Sequence, residues 1–298
     1  MPLRGNASLV LAGATVAVSF SAIFIRIAGD DAATVVWLRM ALAAIILAPF
    51  ALHRGRRSGA QPARVRGVAA ATLSSGVLLG GHFLFWTASL GLTTVAASVL
   101  LVSMHPVFVA PAGQRMLGER VPPVAAGGIV LALAGTALTC AGDLRISASA
   151  LAGDLLALAG AVCLAGYLLI GRRVRNRVGV ARYSAAVYAV VSVTAVLVAA
   201  AARTAHFPSG RTALACLALA VVCTVGGHTA YNWSLRRVPA IGVSVAFLGE
   251  PPLTAVLALL ILGGIPPLTT VLGGVLILTG LAVTLRSLRG GMAAPALE

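Results

Sequence analysis

The stretch SLGLTTVAASVLLVSMHPVFVA at residues 89–110 returns, with substitutions, as SLRRVPAIGVSVAFLGEPPLTA at residues 234–255. The two copies are offset by 145 residues. Among the identical residues that the offset brings together are Ser89 with Ser234, Leu90 with Leu235, Pro106 with Pro251, Gly128 with Gly273, and Gly135 with Gly280. Near the start of each half, LVLAGATVAVSF resembles LLALAGAVCLAGY, and a slip of one residue brings His82 onto His228. The chain therefore contains two related halves.

The composition indicates that both halves lie in a membrane. Of the 298 residues, 59% are hydrophobic and 10% are charged, and the mean hydropathy is +1.01. A soluble domain is about half apolar and about a quarter charged. This chain has too few polar side chains to cover a water-facing surface, so we predict an all-α integral membrane protein.

The formal net charge of +15 is carried by arginine, and no basic stripe is interleaved with aromatic residues, so nucleic acid is not an expected partner. The four cysteines stand singly inside apolar runs, as small hydrophobic residues do: Cys140, Cys163, Cys216 and Cys223. The sequence contains no HxxxH motif and no Cys/His cluster. It therefore predicts no disulfide, no metal site and no cofactor.

A membrane span needs about 20 mostly apolar residues. Clusters of charge, glycine and proline divide the chain into ten such spans: 7–28, 33–52, 67–89, 94–116, 123–141, 153–171, 180–202, 212–234, 240–262 and 268–286. The first run lacks a convincing cleavage site after small residues, so we take it as a span of the mature protein and not as a signal peptide.

The arginines predict the orientation of these spans. With the N-terminus inside, 17 of the 22 arginines fall on inner segments, three fall on outer segments, and Arg26 and Arg39 lie within spans. Cytoplasmic loops carry such an excess of basic residues. We therefore expect both termini to be cytoplasmic.

Five spans per half is an odd number, so the second half must be inserted upside down relative to the first. Inverted repeats with a binding site near the midplane are a recurring plan of secondary transporters. The predicted fold is ten transmembrane helices arranged as two inverted five-helix repeats, 6–142 and 150–288, around a central cavity.

Several motifs identify the sequence as similar to the drug/metabolite transporter superfamily, of the EamA type. In the first half they are FIRIAG, VVWLRMALAAIIL and SMHPVFVAPAGQRMLGERVPPVAAGGIVLALAGTALT; in the second they are GDLLALAGAVCLAGYLLIGRRV, GHTAYNWSL and LGEPPLTAVLALLILGG. The resemblance covers almost the whole chain. It implies a transporter, not an enzyme, that exports amino acids, metabolites or drugs through a central cavity. It also implies a location in the bacterial cytoplasmic (inner) membrane.

The two halves depart from each other at two acidic positions. The first half has LGER where the second has LGGIPP, and the second has Glu250 where the first has His105. Glu119, in LGER, lies at a cytoplasmic helix end beside Arg115 and Arg120. We expect it to form a surface ion pair or to anchor the loop.

Glu250 is the strongest candidate for a functional residue. It lies about ten residues into the ninth span, so at about 1.5 Å per residue it is near the middle of the bilayer. A charge there costs roughly 2.5–3.5 kcal/mol, and such residues usually face a cavity or a partner. His105 has the same depth in the fourth span, so the two side chains could meet. Proton coupling, cation binding and a structural pairing with His105 all fit this position.

Other polar and aromatic side chains within the spans are candidates for the same cavity: His82, Trp86, His228, Asn232, Trp233, Tyr167 and Ser19. They could hold an organic cation or an amino acid by stacking and cation–π contact, or they could be plain packing. Pro106, Pro251 and Pro252 are predicted to kink their helices, because proline donates no backbone hydrogen bond. For Arg26 and Arg39, with Asp30 and Asp31 close by, we expect snorkelling or a surface pair, with anion recruitment as the alternative.

These features predict a secondary transporter that works by alternating access, with a small molecule as substrate and membrane lipid as surroundings. An ATP-driven motor is not expected, because the chain has no GxxxxGK[ST] motif. A channel or lipid scramblase is the alternative, and an intramembrane enzyme is a weaker one because Glu250 is the only acid at the midplane. Proton-coupled transport, exchange and uniport all fit these features.

Overall fold

A computed structural model describes residues 4–55, 62–141, 148–262 and 267–291, and its regular elements within those ranges are all helical. In chain order they are α1 (Arg4–Ser19), α2 (Ser21–Ala28), α3 (Ala32–Gly55), α4 (Pro62–Ser89), α5 (Val95–Val102), α6 (His105–Leu117), α7 (Pro123–Cys140), α8 (Ala148–Arg175), α9 (Val180–Ala201), α10 (Gly210–Ala218), a π-helix (Leu219–His228), α11 (Thr229–Ser234), α12 (Ala240–Phe247), α13 (Glu250–Leu262) and α14 (Leu268–Gly291).

In the described ranges, nine segments are long and apolar enough to cross a membrane: Ala7–Ala28, Ala32–His53, Gly67–Ser89, Ala97–Leu117, Ala148–Arg175, Val180–Ala201, Gly210–Ser234, Ala240–Ile261 and Leu268–Leu288. They correspond to nine of the ten predicted spans. The remaining predicted span, 123–141, is a shorter apolar helix over Pro123–Thr139. The chain is therefore an all-helical, multi-pass membrane protein.

Three of these segments are interrupted near their middle. The first is broken at Phe20, the fourth at residues 103–104, and Ala240–Ile261 at residues 248–249. The offset of 145 residues places the break of the fourth segment on that of Ala240–Ile261. In both, the next helix begins with a proline at its second position, Pro106 in α6 and Pro251 in α13. Proline is tolerated in the first turn of a helix because its missing N–H would have no partner there.

Short capping contacts define the ends of the segments. The Asp31 carboxylate accepts hydrogen bonds from the backbone N–H groups of Ala33 and Thr34, both at 3.0 Å, and so caps the start of α3. Gly29 and Gly118 end α2 and α6 in the left-handed conformation, with φ of 62° and 68°. Only glycine takes that conformation without steric cost, so the chain can turn sharply there.

Close packing of α7 against α14 joins the two halves of the chain. A Cβ atom at Gly128 would lie 2.7 Å from the carbonyl oxygen of Gly280, and one at Gly135 would lie 2.6 Å from that of Gly273. The two helices therefore run antiparallel in backbone contact. Under the repeat, Gly128 corresponds to Gly273 and Gly135 corresponds to Gly280, so the two contacts are equivalent to each other.

Candidate functional site

The connections between the helices lie on two sides of the membrane, which we name after Asp30 and Glu119. The Asp30 side carries the connections at residues 29–31, 90–94 and 202–209, and the Glu119 side carries those at 118–122, 176–179 and 235–239. Side chains from α1, α3, α4, α6, α13 and the π-helix lie between these two sides.

Arg39 is buried inside the protein on α3. It lies about two helical turns from the Asp30-side end of α3, and its side chain is only 2% exposed. Our expectation of snorkelling or a surface pair is therefore wrong for Arg39, whereas Arg26 is exposed. The reason is its face: Arg39 shares the inward-facing stripe of α3 with Val35, Val36 and Met40, all of them buried.

Thr224 of the π-helix holds the Arg39 guanidinium in place. Arg39 donates from Nε and Nη2 to the Thr224 hydroxyl oxygen, at 3.2 and 3.1 Å. That hydroxyl donates in turn to the carbonyl of Leu219 at 3.1 Å, five residues back along the wider helix. Because its hydrogen is committed there, its lone pairs are free to accept from Arg39. Short π-helical segments often occur at functional sites.

A narrow cleft of about 20 Å³, room for about one water molecule, reaches Arg39 from the Asp30 side. Its lining residues are Ile25, Asp30, Ala32, Val35, Val36, Arg39, Phe83, Trp86 and Thr87. The Arg39 guanidinium carbon lies 4.8 Å from the centre of the Phe83 ring, a cation–π contact. In the described part of the chain no carboxylate lies within 4.0 Å of the Arg39 nitrogens.

Histidine and aromatic rings extend the site toward the middle of the membrane. His82 stacks on Trp86, with ring centres 6.2 Å apart, and its Nδ1 lies 3.0 Å from the carbonyl oxygen of Gly160. His228 packs edge-on against Phe83 at 5.4 Å. The indole Nε1 of Trp86 and the Nδ1 of His228 are both buried without a hydrogen-bond partner in the described ranges. An unpaired buried polar group is costly, so these donors and acceptors mark a place where a ligand or water can bind.

Glu250 lies at the break of Ala240–Ile261 and is partly buried. Its carboxylate has no hydrogen-bond or ion-pair partner among the residues that the structure describes. Arg39, the buried cation of the first half, likewise lacks an ion-pair partner in those ranges. The two central charges of opposite sign therefore come from different halves and are left unpaired.

Side chains of α1 pack against the backbone around this break. Pro251 and Pro252 cannot donate hydrogen bonds, so the helix loses backbone hydrogen bonds there. The Thr15 hydroxyl lies 3.2 Å from the carbonyl oxygen of Ala246. The Ser19 hydroxyl donates to the Thr15 carbonyl at 2.7 Å and lies 3.4 Å from the carbonyl oxygen of Glu250, so Ser19 lies directly beside the break.

His105 lies at the matching break but does not contact Glu250. Its Nδ1 is 2.6 Å from the Ser244 hydroxyl, and its ring packs edge-on against Phe247 at 5.9 Å. No hydrogen bond or ion pair joins His105 to Glu250 in the described structure. The partner that we considered for Glu250 therefore bonds to α12 instead.

The remaining candidates lie away from the cleft. The Tyr167 hydroxyl donates to the side-chain oxygen of Asn232 at 2.5 Å, and the Asn232 amide donates to Ser184 at 3.0 Å. Tyr167 and Asn232 are 1% and 0% exposed, so this network links α8, α9 and α11 inside the core. Trp233 lies toward the Glu119 side, where the Arg237 guanidinium stacks on its ring at 3.5 Å.

Glu119 connects both halves on its side of the membrane. Its Oε1 accepts from Arg172 Nε at 2.6 Å, and its Oε2 accepts from the backbone N–H of Ala240 at 2.8 Å. Ala240 is the first residue of α12, where free N–H groups favour a negative charge. The expectation that Glu119 anchors its loop is confirmed, and the anchor is partly buried because it reaches across to the second half.

On the opposite side, Asp30 and His206 form an ion pair of 2.8 Å. The backbone carbonyl of Thr204, then the charge of Asp30, raises the pKa of His206. Burial works to raise the pKa of Asp30, but hydrogen bonds from Asp31 and Thr212, with the charge of His206, hold it below its usual value. Asp30, Asp31 and His206 have ligand atoms close enough for a metal ion, but His206 is exposed and the ion pair accounts for their positions.

Comparison with known proteins identifies the family. The sequence profile of the EamA-like transporter family matches two stretches of the chain, residues 4–141 and 151–286. The chain belongs to the EamA-like transporter family. This family is part of the drug/metabolite transporter superfamily, so the protein is a membrane transporter with a small-molecule substrate.

The fold of this EamA-like transporter recurs among solved structures. One, titled "Crystal structure of protein", has a TM-score of 0.81 and 22% sequence identity, over 96% of this chain and 99% of that one. In total 29 chains of solved structures match. A search of curated proteins finds no match.

Sequence reasoning gave anion recruitment as the alternative for Arg39 but expected the side chain to snorkel or pair at the surface, and so missed its burial in the EamA-like transporter. The stripe Val35, Val36, Arg39, Met40 and Ala43 has helical spacing and contains a single charge. That pattern indicates a charge facing the protein and not the lipid, and it could have identified Arg39.

Proposed function

We propose that this EamA-like transporter exports a small metabolite, amino acid or drug-like molecule across the cytoplasmic membrane by alternating access. In this proposal two inverted five-helix repeats, 6–142 and 150–288, move against each other around the central site. The observation that carries the proposal is the reciprocal packing of α7 and α14, together with unpaired central charges contributed by both halves.

Reciprocal contacts support the inverted repeat. The repeat offset makes Gly128 the counterpart of Gly273 and Gly135 the counterpart of Gly280. The contacts instead pair Gly128 with Gly280 and Gly135 with Gly273. A twofold axis between two equivalent copies produces this pattern, because residue i then contacts j while j contacts i. The matching breaks at residues 103–104 and 248–249 are consistent with the same axis.

In an end state of alternating access, the site is open to one side of the membrane and closed to the other. The contacts on the two sides of this chain fit such a state. On the Asp30 side the cleft leads down to Arg39. On the Glu119 side the bonds from Glu119 to Arg172 and Ala240 tie the first half to the second. In our proposal these bonds close the Glu119 side, and transport requires that they break while the cleft closes.

Glu250 is the proposed coupling residue. Its carboxylate lies beside a helix break, without a bonded partner in the described ranges. A carboxylate in such a position can take up and release a proton as its surroundings change. The orientation that accompanies the proposal has both termini in the cytoplasm, with the Glu119 side inside.

The test is solute counterflow with the purified chain in proteoliposomes. Cells that overexpress the chain are first screened for resistance to, or export of, amino acids, cationic dyes and nucleosides. Vesicles loaded with the unlabelled hit should then accumulate labelled hit transiently above equilibrium, and protein-free vesicles should not. A flux that rises linearly with concentration, without stimulation by substrate on the other side, would indicate a channel or scramblase instead.

A further inference from the structure

We propose that Arg39 is the binding residue for an anionic group of the substrate, so that the transported molecules are organic anions with a carboxylate on an aromatic or apolar body. This inference rests on the proposed function, because it names the chemical class of molecule that the cleft takes.

Arg39 lacks a counter-ion in the part of the chain that the structure describes. Arg39 is 2% exposed, and in the described part of the chain no carboxylate lies within 4.0 Å of its nitrogens. Glu250 acts on it only through space. A charge inside a membrane protein normally has a paired partner or faces a cavity. Arg39 lines the narrow cleft, so its partner is expected to enter there when the cleft widens.

The Arg39 guanidinium is held in place and still has N–H donors without an acceptor in the described ranges. Thr224 accepts from Nε and Nη2, and Thr224 is itself fixed by its bond to Leu219 in the π-helix. Nη1 has no hydrogen-bond partner among the described residues. Guanidinium nitrogens in a fixed fork match the two oxygens of a carboxylate. The anchored side chain therefore offers an anion a ready binding position.

Aromatic rings form another part of the cleft lining. Trp86 lines it with Phe83, and the Trp86 indole N–H is buried without an acceptor. That N–H can donate to a second anionic oxygen, while the two rings can pack against an apolar body. Asp30 lines the same cleft, but its oxygens are bonded to His206, Thr212 and the backbone N–H of Asp31. Donors thus already occupy both Asp30 oxygens, whereas the Trp86 N–H has no acceptor in the described ranges.

The experiment measures thermal stabilisation of the full chain, purified in detergent, by three pairs of probes. Each pair contains a carboxylate and its uncharged primary amide: phenylacetate and phenylacetamide, 3-phenylpropionate and 3-phenylpropionamide, indole-3-acetate and indole-3-acetamide. We expect the acid to bind at least about ten-fold more tightly than the amide in one or more pairs, because only the acid can form the charged bidentate contact. Equal effects of acid and amide in all three pairs would overturn the proposal.

Two variants separate Arg39 from the general attraction of anions to a basic chain. Arg39→Gln should erase the preference for the acid, whereas Arg26→Gln, the same charge change on an exposed residue, should keep it. A preference that survives Arg39→Gln would overturn the assignment. If Arg39→Gln does not fold, Thr224→Val replaces it: this variant keeps the charge but removes its anchor, and the preference should fall several-fold. An unchanged preference in Thr224→Val would then count against the proposal.

This binding measurement needs no transport, so it fails separately from the proposed function. Acid-specific binding without counterflow would refute transport and leave the Arg39 site standing. Counterflow of a substrate without an anionic group, with no acid preference in detergent, would refute the Arg39 site and leave transport standing.

Discussion

Replacing Gly128 by alanine tests the packing that joins the two halves. The new Cβ would lie 2.7 Å from the carbonyl oxygen of Gly280 and 2.9 Å from the backbone nitrogen of Thr284. Carbon and oxygen normally come no closer than about 3.3–3.6 Å, so α7 and α14 must separate by about 0.6–0.9 Å. The contacting atoms include backbone and cannot rotate away.

The neighbouring Gly127 supplies the matched control. A Cβ there would meet nothing within 4 Å, and the residue is exposed. Both substitutions gain the same helix propensity, up to about 1 kcal/mol, so it cancels in the comparison. Overpacking costs about 1–3 kcal/mol, and Gly128→Ala should be less stable than Gly127→Ala by about that amount.

The assay is unfolding of the purified variants by titration with SDS, followed by circular dichroism. Adding Gly280→Ala to Gly128→Ala should cost less than the sum of the two single changes, because the first already separates the same contact. Adding Gly135→Ala, which disturbs the separate contact with Gly273, should come closer to additivity. Equal stability of the Gly127 and Gly128 variants would refute this account of the helix interface.

Two further predictions concern titrating groups on and near the transport path. Glu250→Gln should abolish the dependence of proteoliposome uptake on a pH gradient while substrate exchange continues, and unchanged dependence would rule out Glu250 as the coupling residue. His206→Gln should lower the unfolding midpoint at pH 5.5 but hardly at pH 8. A raised histidine pKa stabilises the fold fully below its usual value of 6.5, and the stabilisation is lost as the pH rises through the folded-state pKa. The lowered pKa of Asp30 keeps its carboxylate charged across that window. A midpoint difference that does not change with pH would contradict this ion pair.

The sequence predicted the architecture because its signals are local or repeated. Apolar runs and arginine clusters mark nine segments that the structure confirms as long enough to span a membrane. The tenth predicted span, 123–141, coincides with helix α7 (Pro123–Cys140), of which Pro123–Thr139 forms a shorter apolar helix. The offset of 145 residues links Pro106 to Pro251, and the helices are interrupted next to both.

The partners of the site residues could not be predicted in the same way, because side-chain pairing depends on how helices rotate about their axes. Sequence depth alone suggested His105 as a partner of Glu250, but rotation of the helices turns His105 toward Ser244. Depth likewise suggested that Arg39 would snorkel, but its face of α3 points inward to Thr224. The π-helix that positions Thr224 has no signature in the local sequence.

The central claim is that the two sides of the membrane open alternately, and cysteine accessibility tests it most directly. In a background with the native cysteines replaced, Thr87→Cys reports on the cleft and Val238→Cys on the Glu119 side, each labelled with a water-soluble thiol reagent in nanodiscs. Glu119→Gln weakens the bonds to Arg172 and Ala240. The account predicts that this change speeds labelling at position 238 several-fold and slows it at position 87. Faster labelling at both positions, or no change at position 87, would contradict alternating access.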